Sequence, residues 1–221
     1  LYGIDKPCHK YFNNIIEADP AITAYATHPF MVSLAEELMG SEARIVEMNA
    51  HINSRDPDHT WEETITGFHR GADVPYASHT QNGLFHCNFV KTLTNLTELG
   101  PDDGGTLFLS GSHKAAFSAP ESLQDPNSPL WQTYSCPEGS LLIFSEATTH
   151  SGAPWTNAER DRVPIFSRYN SICSKWHRWE PHPELLAAMP PKRQTLFRGV
   201  WHGMSDVPGI NRYYEEANRA V

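Results

Sequence analysis

Between residues 44 and 170 the chain is cut into short apolar or β-branched runs by turn-forming residues. Runs at 44–48, 85–96, 106–109, 141–144 and 163–169 are separated by Asn82-Gly83, the glycine-rich stretch 100–105 and the turn 137–140. Gly, Pro and Asn at such intervals stop strands and reverse the chain, so consecutive runs pair antiparallel. The pattern predicts an antiparallel β-sandwich or jelly roll. No alternation of strand with helix and no internal repeat points elsewhere.

The flanks read differently. Residues 1–40 are predicted helical. Pro20 follows Asp19 at a plausible first turn, Phe30, Leu34 and Leu38 recur with Met31 and Ala35 at helical spacing, and Gly40 provides a C-cap. Segments 52–66, 72–83 and 115–132 are polar and loop-like, the first of them a candidate border to a pocket. From residue 175 the tail is dense in Trp176, Trp179, Trp201, His177, His182 and His202, with short helices predicted at 184–189 and 211–220 and Tyr213-Tyr214 packing the last onto the body. The tail reads as a structural skirt, with a cover for the barrel mouth as the alternative. Together these describe one domain over 1–221, mainly β with flanking helices: a helical part over about 1–40, a β core over about 44–170 and a covering segment over about 175–221.

Charge narrows the partners. With 17 basic against 26 acidic residues the formal net charge is -9, which argues against a surface for nucleic-acid polymers. It leaves room for a small anion held by a few arginines. No apolar run is long enough to cross a membrane and no secretory leader is visible, although the chain begins at Leu1. Cys8, Cys87, Cys136 and Cys173 are widely spaced and read as free thiols of a cytoplasmic protein.

Two of the twelve histidines stand out by position. His69 and His150 lie at or near strand ends, where a jelly roll can bring distant segments together. Paired imidazoles suit Fe(II), Zn or Cu. Lys91 sits inside an otherwise apolar strand, which places it either at a sheet edge or facing a polar cavity.

Taken in order, Phe68-His69, then Gly104-Gly105-Thr106-Leu107-Phe108-Leu109-Ser110-Gly111-Ser112-His113-Lys114, then Pro137, Gly139 and 141–144, then His150-Ser151-Gly152, then Arg162 resemble the phytanoyl-CoA dioxygenase family. The resemblance runs from about 28 to 170. It implies a double-stranded β-helix, the cupin-like jelly roll, and an enzyme that uses Fe(II), O2 and 2-oxoglutarate. It implies that His69 and His150 hold the iron. Arg162 then faces the 2-oxoglutarate carboxylate through its planar fork, with Arg160 and Arg168 as neighbouring alternatives and Lys91 and Thr94 as further cosubstrate contacts. His113 reads as structural, and His86 as a poorer candidate for the first ligand than His69.

The departure from the family is Gly71. The usual motif is His-x-Asp, whose aspartate is the third ligand, and here it is His69-Arg70-Gly71. Three readings follow. In the first, chloride fills the position, and the enzyme is a halogenase that returns chlorine to an aliphatic carbon after hydrogen is removed. This is the pattern of the family's halogenating relatives. In the second, a carboxylate such as Asp73 reaches the metal and the enzyme is a hydroxylase. In the third, the metal is lost and the domain is a binding module. The expected substrate is a small molecule, with Arg55, Arg70, Lys91, His79, Arg193 and Arg198 suiting a phosphorylated one such as a 2'-deoxyadenosine monophosphate-like nucleotide. Phe68, Trp61 or Trp201 could stack a base, although each reads better as core.

Overall fold

The computed structural model describes residues 3–59, 68–71, 78–115, 128–175 and 179–199. The expectations placed on Trp61, Asp73, Trp176, His177, Trp201, His202 and the helix at 211–220 lie outside them.

The chain opens with a hairpin, β1 (Gly3–Lys6) and β2 (His9–Asn13), where the sequence predicts helix. The apolar period of the helix begins only after Asp19, and β2 gains a full ladder of hydrogen bonds against β3 (Ala43–Asn53) instead. The predicted single helix is two. In α1 (Pro20–Ala26) the Asp19 carboxylate accepts from the Ala21 N–H, and proline takes the first turn, where no donor is needed. A second proline starts α2 (Pro29–Met39), which ends at Gly40 in the left-handed conformation. Met31, Ala35 and Met39 form its buried stripe, while Phe30 and Leu38 are exposed.

β4 (Ser78–Gln81) and β5 (Leu84–Cys87) form a hairpin closed by Asn82-Gly83, both at positive φ. Asn88 ends β5, so the run predicted as one strand is two, the second being β6 (Phe89–Asn95). β7 (Gly105–Leu109), β8 (Trp131–Gln132), β9 (Leu141–Ser145), β10 (His150–Ala153) and β11 (Pro164–Ser171) follow. They assemble into a six-stranded sheet in the order β1-β2-β3-β11-β6-β9 and a three-stranded sheet β10-β7-β8, every pairing antiparallel. This is the jelly roll that the strand pattern predicts.

The large sheet separates two environments. One face carries Ile45, Met48, Val90 and Tyr169, packed against Ile15, Ile16, Met31, Ala35 and Met39 from the helical segment. The tail helices α3 (Pro183–Ala188) and α4 (Pro191–Gln194) lead to Leu196 and Phe197, which join the same core beside Trp179. The described part of the tail is therefore a skirt over the apolar face. The Tyr169 hydroxyl donates to the Ala26 carbonyl at 2.8 Å and ties α1 to β11. The opposite face looks across at the small sheet and encloses the cavity described next.

Candidate active site

The backbone brings His69 and His150 side by side. His69 N–H donates to the His150 carbonyl at 3.1 Å and His150 N–H returns the bond at 3.0 Å, so His69 extends the small sheet beyond β10. Their rings lie 4.5 Å apart between centroids. His150 is buried, with Phe144 packed edge-on against it at 5.1 Å. Its Nδ1 lies 2.8 Å from the Thr148 carbonyl, which can only accept. Nδ1 therefore carries the proton, and Nε2 keeps its lone pair for a metal. Burial lowers the His150 pKa to about 4, against a weaker upward pull from Glu146. The imidazole is thus neutral at pH 7, the form that ligates.

Arg162 is placed by the same kind of pairing. It exchanges backbone hydrogen bonds of 2.9 Å with Asn53 at the end of β3. The guanidinium is buried, donates from Nη2 to Thr106 Oγ1 at 2.9 Å, and leaves Nε without a hydrogen-bond partner among the described residues. Burial lowers its pKa. A buried cation with a spare donor is costly unless an anion joins it.

His69, His150 and Arg162 line one cavity of about 500 Å³, with Lys91 of β6, Glu47, Asn49 and His51 of β3, and Phe166 of β11. Lys91 faces it from a central strand. The Lys91 ammonium lies 5.3 Å from the Phe166 ring centre and 3.2 Å from Glu146 Oε1. Thr94 does not reach this cavity. It stands three residues along β6 from Lys91, an odd offset that turns it to the helical face, where its hydroxyl meets that of Tyr25.

Other expected contributors lie elsewhere. Arg70 spends its guanidinium on the carbonyls of Ser112 and Ala115. Arg160 pairs with Asp103 at 2.7 Å, Arg198 with Glu42, and His79 stacks on His86. Phe68 stacks on Trp131 at 3.7 Å, as packing rather than as an exposed platform. His113 packs edge-on against Phe85. The four cysteines are free thiols.

Gly71 is not an open space. A Cβ built there would lie 1.2 Å from Glu146 Oε2 and 2.6 Å from Arg168 Nη2. Glu146 is fully buried, and Arg168 Nη2 donates to its Oε2 at 2.5 Å and to the Gly71 carbonyl at 2.8 Å. Burial pushes the Glu146 pKa up, but Lys91 and Arg168 outweigh it and hold it at about 2. Arg168 is thus the partner of a buried carboxylate rather than of a cosubstrate. Sequence reasoning missed Glu146, whose one visible signal was a charge two residues after the apolar run 141–144.

Residues 9–162 match the family described as phytanoyl-CoA dioxygenase (PhyH), well over half of the chain. The chain belongs to that family. Its members are Fe(II)/2-oxoglutarate-dependent enzymes. No curated protein matches the chain. Among solved structures it is similar to HygX from Streptomyces hygroscopicus with nickel and 2-oxoglutarate bound, at 20% identity and TM-score 0.65, over 80% of this chain and 76% of that one. The epimerase SnoN from nogalamycin biosynthesis gives 18% identity and TM-score 0.58 over 78% and 67%. EctD from S. alaskensis, with 2-oxoglutarate and 5-hydroxyectoine, gives 16% and 0.54 over 73% and 56%. At these identities the likeness is one of fold.

The residues fit the cofactors that the family implies. Two imidazoles share one wall, and a buried arginine with a spare donor lies in the same cavity. Among the described residues no helix is long and apolar enough to cross a membrane.

Proposed function

We propose that this enzyme uses Fe(II), O2 and 2-oxoglutarate to oxidise an aliphatic carbon of a polar small molecule. The observation that carries the reading is the convergence of His69, His150 and Arg162 on one cavity. When bound, iron with 2-oxoglutarate and O2 supplies the oxidising power that removes hydrogen from carbon. His69 and His150 would hold the metal, with Thr148 fixing which nitrogen of His150 faces it. Arg162 would take the distal carboxylate of 2-oxoglutarate in a two-pronged, charge-assisted grip. Phe144 and Phe108 pack against the His150 ring, at 5.1 Å and 6.3 Å between ring centres.

Chlorination is the second reading, favoured by a residue at 71 that cannot ligate. The carboxylate that fills the space beside Gly71 counts against it, because an anion already stands where chloride would be drawn in. As for substrate, Lys91 and Arg162 are the lysine and arginine among the described lining residues, and Lys91 already faces Glu146. Glu47, Asp56, Asn49 and His51 make the rest of the wall acidic or neutral. That wall suits hydroxyl- or amine-bearing compounds better than a phosphorylated nucleotide.

The test is succinate release from 2-oxoglutarate with Fe(II) and O2, run with and without chloride over a panel of amine, polyol and nucleotide compounds, with products read by mass spectrometry. The expected result is turnover that Arg162→Ala abolishes and a product that gains oxygen regardless of chloride. A chlorinated product would establish the second reading. No 2-oxoglutarate turnover under any condition would overturn both.

A further inference from the structure

The side chain missing at 71 and the carboxylate of Glu146 compete for one volume. Glu146 reaches it from the residue that follows β9 of the large sheet, whereas His69 extends the small sheet. Glu146 is fully buried, and among the described residues its Oε1 accepts no hydrogen bond and lies 3.2 Å from the Lys91 ammonium. Gly71 itself has no positive φ, so space rather than backbone conformation is what keeps it a glycine.

We propose that Glu146 supplies the carboxylate that position 71 lacks, as the third protein ligand of the metal held by His69 and His150. The inference rests on the reading of that histidine pair as a metal site. Two imidazoles and one carboxylate are a donor set suited to iron with open positions for cosubstrate. The carboxylate stands where the first side-chain carbon of residue 71 would lie, two residues along the chain from His69. No three His, Cys, Asp or Glu among the described residues enclose a metal ion as they stand. Without metal, Lys91 and Arg168 answer the Glu146 charge. A divalent cation between the imidazoles attracts the carboxylate more strongly than a monovalent ammonium does. Rotation of the Glu146 side chain toward it leaves Arg168 with Glu47, 3.8 Å from its other nitrogen. A purely structural counter-ion would have no effect on the metal.

The experiment is Co(II) binding with 2-oxoglutarate present, read by calorimetry and by the ligand-field absorption of the bound ion. Wild type is expected to take up Co(II) with an absorption that does not respond to chloride. Glu146→Gln keeps the shape, removes the charge, and is expected to weaken Co(II) binding by about tenfold or more and to shift the absorption. Wild-type affinity and an unchanged absorption in Glu146→Gln would overturn the proposal. So would a wild-type absorption that shifts on adding chloride, because an exchangeable anion would then hold the position. If the glutamine variant does not fold, the double variant Gly71→Asp with Glu146→Ala decides. It moves the carboxylate back to position 71, and restored Co(II) affinity supports the proposal, whereas loss of binding in the folded double variant overturns it. Failure of wild type to bind Co(II) at all would instead remove the metal-site reading and this inference with it.

Discussion

The two faces of the six-stranded sheet are made by alternate residues of the same strands, yet they obey different rules. On β3, β6 and β11 one set (Met48, Val90, Tyr169) packs under the helices, and the other (Glu47, Lys91, Arg168) lies side by side on the opposite face, where Lys91 and Arg168 both pair with Glu146. The apolar face is held by burial, which is non-directional and tolerates a repacked neighbour. The cavity face is held by charges that must be matched one for one, because each is costly without its partner. A cavity-face change therefore leaves a charge stranded, while a helical-face change leaves a void.

The largest expected effect comes from breaking the charged face. Arg168→Ala strands Glu146 and is predicted to cost about 4 kcal/mol in denaturant unfolding, and replacing Glu146 by Leu as well should recover much of that. On the apolar face Met48→Ala, at a site 1% exposed, should cost about 3 kcal/mol through the void it leaves. It should leave 2-oxoglutarate binding, followed by calorimetry, unchanged. A similar loss of binding in both variants would erase the distinction between the faces.

The smallest effect is a pH dependence on the cavity side. His51 stacks on His9, and burial, then His9, Arg162 and Lys91, lower its pKa to about 3. In the unfolded chain it titrates near the ordinary histidine value, so between that pH and 3 the unfolded state binds more protons. Stability is therefore full above about pH 6.5 and falls as the solution is acidified, by at most about 1.4 kcal/mol per pH unit for this one group. Unfolding measured from pH 7 to 5 should show a shallower decline in His51→Gln.

Much of the β core was legible because Gly, Pro and Asn mark where each strand must stop. The Asn82-Gly83 hairpin and the strands at 105–109, 141–145 and 164–171 fall where the punctuation puts them. The opening hairpin was not legible, since strands of four and five residues carry no period and take their stability from the edge of β3. Within the site, His69, His150 and Arg162 could be found as an ordered set along the chain. Thr94 could have been set apart from Lys91 by parity alone, because side chains three apart on a strand point to opposite faces. Glu146 had no such signal. Its importance comes from meeting Gly71, and only the folded chain makes the two residues neighbours.

That meeting has an evolutionary consequence. Positions 71 and 146 cannot drift independently. In a lineage that carries glutamate at 146, an aspartate regained at 71 has to displace that carboxylate, because the new side chain would enter an occupied volume. Loss of the glutamate first would leave the lysine without this counter-charge and the arginine with Glu47 in its place. Among relatives, glycine at the first position and an acid at the second should appear and disappear together, so that the pair is inherited as one character.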